Sequence, residues 1–185
     1  MPVGLKRALI TLSLLTGCAA ARPSPAPISM WPNVPLAAMG LPRHATQLVT
    51  MTRDENTFDM TAMLESDDQR LLVVGLASAG PRLFKIAKTA AGVTGETSRL
   101  VPSSFRPEHL LADLELAFAS SRSLHDAFAS TGWVLVEQGL TRSAEYEGQV
   151  VSRVTRTSED PWAGPLDLEN VRYGYRLHVE TLEHE

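Results

Sequence analysis

Apolar and polar residues alternate along much of this chain with a period of two, the repeat of strands that keep one face dry and the other wet. Phe58, Met60, Ala62 and Leu64 alternate with Thr57, Asp59, Thr61 and Glu65, and Met63 is the apolar exception on the wet face. Leu166 and Leu168 alternate with Asp167 and Glu169, and Tyr173, Tyr175, Leu177 and Val179 alternate with Gly174, Arg176, His178 and Glu180. Less regular patterns predict further strands at about 44–53, 71–77, 82–88, 133–138, 143–147 and 149–156. The pairs Asp67-Asp68, Gly80-Pro81 and Glu147-Gly148 supply turns between them. Few helix-long segments intervene, so the strands are expected to form an antiparallel meander and not a parallel doubly wound sheet.

One stretch changes the period. Leu110, Leu111, Leu114 and Phe118 recur at helical spacing as far as about Ser120, with Ser104 offering an N-cap, Pro107 early in the helix and Glu108 in its first turn. A second short helix is predicted over about 122–129, with Leu124 and Phe128 as an i,i+4 pair and Gly132 beyond its end. Strands in a meander interrupted by two helices predict an α+β domain, the helices covering the apolar face of a curved sheet.

The amino-terminal region has a different character. Lys6 and Arg7 precede the short apolar run Ala8 to Leu15, which ends in Leu15-Thr16-Gly17-Cys18. This is the layout of a secretory signal, and the run falls short of the roughly 20 residues that cross a bilayer as a helix. Its ending resembles the bacterial lipoprotein box, which implies that residues 1–17 are removed and that Cys18 is lipidated as the new amino terminus. Ala19 stands where an Asp favours inner-membrane retention, so the same resemblance implies the outer membrane, at its periplasmic face. Residues 18–42 are read as a tether, because Pro23, Pro25, Pro27, Pro32, Pro35 and Pro42 interrupt regular structure. Trp31, Leu36, Met39 and Leu41 predict that its later half packs against the domain, which is taken to span residues 43–185.

Composition then closes several routes. Seventeen Lys and Arg against 21 Asp and Glu give a net charge of −4, and loss of Lys6 and Arg7 with the signal deepens it, so no basic footprint for nucleic acid exists. Cys18 is the only cysteine, so an internal disulfide, a thiolate metal site and, after lipidation, a cysteine nucleophile are all excluded. His44, His109, His125, His178 and His184 lack paired-ligand spacing, and neither a GxSxG elbow nor a phosphate-binding glycine loop occurs. His109 and Asp113 are spaced as a helix-surface pair. Glu145 with Glu147 and Glu159 with Asp160 read as turn or surface acids, so no catalytic residue, metal or cofactor is assigned.

Four segments resemble one family. They are Gly80-Pro81-Arg82-Leu83-Phe84, the helix from Pro107 to Ala117, the turn Asp160-Pro161-Trp162, and Asn170-Val171-Arg172-Tyr173-Gly174-Tyr175-Arg176-Leu177. Together they are similar to a family of uncharacterised bacterial lipoproteins associated with aryl polyene biosynthesis clusters, itself distantly similar to the LolA/LolB lipoprotein-localisation proteins. The resemblance implies an incomplete β-barrel, closed by two or three helices around an apolar cavity. Phe58, Met60, Leu64, Phe84, Leu110, Leu114, Phe118, Trp162, Tyr173 and Tyr175 are the candidate ligand-binding residues of such a cavity. Each has a plainer role: the tyrosines as core, Trp162 as a ring folded onto the rim, Met60 as core filler. Arg172 and Arg176, on the face opposite the tyrosines, suit either an anionic headgroup or a solvated surface with carboxylate partners.

The expectation is a non-enzymatic lipoprotein that binds or transfers a lipophilic cargo such as a lipid, an acyl chain or an aryl-polyene-type lipid. A structural lipoprotein contacting other envelope proteins through its sheet edge is the alternative, followed by an enzyme acting on a lipid precursor. A packed interior favours the structural reading and deep convergent polar groups favour the enzyme.

Overall fold

The computed structural model describes residues 31–39, 43–101 and 105–185. Cys18 and Ser104 lie outside them. Ten strands form one antiparallel sheet: β1 (Arg43–Arg53), β2 (Asn56–Ser66), β3 (Arg70–Ala77), β4 (Arg82–Thr89), β5 (Gly92–Thr97), β6 (Trp133–Gln138), β7 (Thr141–Tyr146), β8 (Gln149–Arg156), β9 (Leu166–Asn170) and β10 (Tyr175–His184). Their spatial order is β5-β4-β3-β2-β1-β10-β9-β8-β7-β6. Two five-strand meanders thus lie side by side, joined where β1 pairs with β10. The sheet is not closed, and its edges are β5 and β6.

The connection from β5 to β6 carries α1 (Pro107–Phe118) and α2 (Ser121–Phe128). These helices cover the concave face, so the fold is the curved-sheet α+β arrangement that the sequence pattern and the resemblance imply. The dry face comes from alternate residues: Met60, Ala62 and Leu64 on β2, Leu71 and Val73 on β3, Leu166 and Leu168 on β9, Leu177 and Val179 on β10. Against it pack Leu116 and Phe118 of α1 and the i,i+4 pair Leu124 and Phe128 of α2. Residues 31–39, the later half of the Pro-rich stretch, lie in this core through Val34, Ala38 and Met39, the last two in a short 3-10 helix over Leu36–Met39. None of the described helices is long and apolar enough to cross a membrane.

Several local features depart from the sequence pattern. β5 is a strand that the sequence pattern does not predict, because its six residues are all exposed and contain two glycines, leaving no alternation of dry and wet positions. Tyr173 does not extend the β10 strand. It sits in a turn over residues 171–174, which Gly174 closes at φ 67°, in the left-handed region that suits a residue without Cβ. Helix α1 starts at Pro107 with Arg106 as its N-cap and no side-chain cap bond, in place of a cap from Ser104. At its other end, Arg142 donates through Nη1 to the carbonyls of Leu116 (3.1 Å) and Ala119 (2.8 Å), satisfying orphaned helix acceptors from a buried position on β7. Ser120 then caps α2, accepting at Oγ from the Ser123 amide at 3.2 Å.

Gly75 on β3 faces Phe84 on β4 across the ladder, and a Cβ at position 75 would stand 2.4 Å from the ring. Phe84 is buried and stacked on Phe105 at 5.2 Å, so its ring can shift only by giving up that packing. Gly75→Ala is expected to destabilise the domain by about 1–3 kcal/mol through overpacking, read as a lower midpoint in urea denaturation.

Candidate functional site

The concave face and α1 do not meet everywhere. Between them lies a cavity of about 1240 Å³, larger than most small-molecule pockets and bounded mainly by apolar side chains. Met51, Phe58 and Met60 form its floor on β1 and β2, Leu83 and Phe84 one side on β4, Tyr175 and Leu177 the other on β10, and Leu110 and Leu111 its roof on α1. Strand alternation explains most of this convergence, and the bulge opposite Gly75 and Leu76 lets the consecutive residues Leu83 and Phe84 both be buried.

Of the ten candidate ligand residues, Phe58, Met60, Phe84, Leu110, Tyr173 and Tyr175 line this space. Leu64, Leu114, Phe118 and Trp162 do not. Leu64 is packed into the core further along β2. Phe118 and Trp162 are stacked on each other at 4.4 Å, and Trp162 is buried at 2% exposure, so it is a core ring and not a rim aromatic. Leu114 is only partly buried, because α1 is rotated so that the neighbouring polar positions, Asp113 and Glu115, face inward.

That rotation creates two buried polar clusters that periodicity did not reveal. The first is Asp113, which is not a surface partner of His109. Its carboxylate accepts from Ser152 Oγ of β8 at 2.8 Å, from Asn170 Nδ2 of β9 at 3.1 and 3.2 Å, and from the Tyr175 hydroxyl of β10. Burial pushes the Asp113 carboxyl up to about 6 against the pull of those three donors, and burial with the Asp113 charge pushes the Tyr175 phenol well above its ordinary value. Asn170 Oδ1 also accepts from the Tyr173 amide at 3.0 Å, fixing the turn that stacks the Tyr173 ring on His109 at 3.8 Å. The segment from Asn170 to Tyr175 and the helix from Pro107 to Ala117 are therefore two halves of one latch.

The second cluster lies in the cavity wall. Lys88 of β4, 7% exposed, donates to Glu115 Oε1 at 2.6 Å and to the Val34 carbonyl at 2.6 Å, while Trp31 Nε1 donates to Glu115 Oε2 at 2.9 Å. Burial raises the Glu115 carboxyl, and Lys88 and Trp31 oppose that rise. The pair ties α1, β4 and the 31–39 segment together. Trp31 goes on to pack edge-on against Phe128 (5.3 Å) and Trp133 (4.9 Å). The charges compensate each other, leaving the deep wall neutral.

Around the opening stand Arg53, Asp54, Asn56, Arg106, Glu108 and His109. Burial holds the His109 imidazole below its ordinary value, helped by the nearby Arg106 and Arg172 guanidiniums against Glu108. Arg176 is exposed and paired with Glu169 at 3.2 Å on the outer face. No three His, Cys, Asp or Glu side chains converge to hold a metal among the described residues. Ser152 donates to Asp113, but neither residue borders the cavity, and Lys88 is held in its ion pair with Glu115.

Two outcomes follow. Asp113 titrates higher folded than unfolded, so its contribution to stability is full below its ordinary pKa of 3.8 and is lost as pH rises through about 6. That part amounts to roughly 3 kcal/mol, and urea denaturation between pH 4.5 and 7 should show Asp113→Asn with a flatter stability profile than the parent. Lys88→Met leaves Glu115 buried without its cation and should cost about 3–5 kcal/mol, much of it restored by adding Glu115→Gln.

Solved structures with related shape share little sequence. A DUF1329 family protein from Desulfovibrio piger ATCC 29098 is 7% identical, with a TM-score of 0.42 over 81% of this chain and 88% of that one. A putative outer membrane lipoprotein-sorting protein domain from Vibrio parahaemolyticus is 10% identical, with a TM-score of 0.41 over 78% and 85%. A LolA superfamily protein from Nitrosomonas europaea is 7% identical, with a TM-score of 0.45 over 85% and 90%. No curated protein sequence matches the chain. Residues 44–183 match the family model described as "Protein of unknown function (DUF3261)", and the chain belongs to that family.

Proposed function

We propose that this protein is a lipid-anchored carrier that binds or transfers a lipophilic cargo at the periplasmic face of the outer membrane. In this reading residues 1–17 are a signal peptide, Cys18 is lipidated, and the Pro-rich segment tethers a single domain. The observation that carries the binding role is the cavity. A space of 1240 Å³ takes about 40 groups the size of a water or a methylene, the bulk of one or two long acyl chains. Its walls are apolar and its one deep ion pair is self-neutralised. Each methylene moved from water into such a space gains roughly 0.8 kcal/mol, so a lipid, an acyl chain or an aryl-polyene-type lipid fits it better than a charged metabolite.

The full chain carrying Cys18→Ser should take up a fluorescent fatty acid or phospholipid saturably. Phe58→Asp places a charge on a wall residue that is 46% exposed, so the fold tolerates it and uptake should weaken about tenfold or more. Absence of saturable uptake by the folded chain removes the carrier reading and leaves a structural envelope role in its place. Membrane fractionation tests the anchor: the parent should travel with the outer membrane and the Cys18→Ser chain should not.

A further inference from the structure

Four hairpins turn at one end of the sheet: β1–β2 beyond Arg53 and Asn56, β3–β4 between Ala77 and Arg82, β7–β8 between Tyr146 and Gln149, and β9–β10 through residues 171–174. Most of the cavity's exposed lining residues, among them Arg53, Asp54, Asn56 and Phe58, stand at this end, and of the exposed large apolar side chains Phe58 and Leu100 border the cavity there while Val171 stands in the β9–β10 turn. Phe58, 46% exposed, lies near the tip of β1–β2, ahead of the point where β2 gains β3 as a partner at Met60. Leu100, 65% exposed, projects from a turn that is firmly held. Ser98 donates its amide to the Leu83 carbonyl at 2.7 Å, and accepts from the amides of Val101 (3.2 Å, at its carbonyl) and Leu100 (3.2 Å, at Oγ). Both residues border the cavity, and the exposed Arg53 and Arg106 stand beside them.

We infer that this end of the domain docks on a lipid bilayer, with Phe58 and Leu100 entering the headgroup region and Arg53 and Arg106 meeting phosphates. The inference rests on the carrier reading above. A partner protein would need a continuous face of roughly 800 Å², whereas this end offers separate apolar projections among long cationic side chains and the acids Asp54 and Glu108, a mixed polarity that suits a membrane interface. An opening that met water would also expose the cargo in transit.

The reach of the chain agrees. Trp31 enters the cavity wall beside Glu115, which it shares with Lys88, and Lys88 sits near the end of β4 remote from Leu83. The eight residues of β4 span about 26 Å. The sequence from Cys18 to Trp31 is long enough to span about 40 Å, at the rise per residue of a Pro-rich chain. A domain anchored at Cys18 can therefore turn its hairpin end to the bilayer that holds the anchor.

The test separates docking from the anchor, and because Leu100 borders the cavity, fluorescent-lipid uptake by the same variants in solution separates it from cargo binding. The Cys18→Ser chain is sedimented with vesicles of phosphatidylethanolamine and phosphatidylglycerol, alongside the same chain carrying Leu100→Glu or Leu182→Glu. Leu182 is 62% exposed but lies toward the opposite end of the sheet, near His184 of β10. The parent is expected to bind vesicles, Leu100→Glu to lower the bound fraction about fivefold or more, and Leu182→Glu to leave it unchanged. Absence of vesicle binding, or equal effects of the two variants, overturns the inference even where fluorescent-lipid uptake in solution holds. A dimer in sedimentation velocity that Leu100→Glu dissolves would assign the patch to a second copy of the chain and overturn it as well.

Discussion

The Asp113 carboxylate is the point on which the two halves of this molecule meet. It projects from the one long helix and is held by a hydroxyl, an amide and a phenol from three successive strands of the second meander. On the other side of the helix, Glu115 reaches Lys88 in the first meander. A helix fastened on both flanks bridges an open sheet that has no closing strand pair, and this lets the space beneath it stay unfilled. Apolar packing alone would pull α1 down onto the sheet, since protein interiors close to crystal-like density wherever nothing holds them apart. Polar clusters with fixed bond lengths act as spacers.

Those clusters carry a cost in the same currency as their benefit. A buried ion pair is seldom a net source of stability when compared with apolar residues of the same shape, and a buried carboxylate whose pKa is raised opposes folding at neutral pH. Their retention is intelligible as geometry: Lys88, Glu115 and Trp31 locate the amino-terminal segment, and Asp113, Asn170 and Tyr175 locate the turn bearing Tyr173. Four stretches of the cavity wall, residues 31–34, β4, α1 and residues 170–175, are thus each pinned by a directional bond.

Much of the fold was legible because strands with one wet face advertise themselves. The alternation at Phe58 to Leu64 and at Tyr175 to Val179 marks β2 and β10, and Leu124 with Phe128 marks the buried side of α2. What stayed hidden was of two kinds. An exposed edge strand such as β5 has no dry face to betray it. The inward rotation of α1 was concealed because periodicity counts Asp113 and Glu115 as outward, and their buried partners stand far off in sequence: Lys88 27 positions away, Ser152 39, and Asn170 57. A hint was available, since both acids are embedded in an otherwise apolar helix with scant polar surface to join. Of the candidate site, Phe58, Met60, Phe84 and Tyr175 of the sheet do line the cavity, whereas Phe118 and Trp162 stack on each other in the core, a contact between residues 44 positions apart that local pattern does not reveal.

The pairing of β1 with β10 has a consequence for how the chain becomes a protein. Ala45 meets His184 and Arg53 meets Tyr175 across this central ladder, while every other ladder joins neighbours in sequence. Contacts so distant along the chain form late and slow the whole process. Until β10 emerges, the first meander presents β1 as an eleven-residue open edge, a ready template for another chain. The molecule therefore has an obligatory vulnerable stage built into its topology, and a truncation anywhere in the second meander would leave that edge permanently bare.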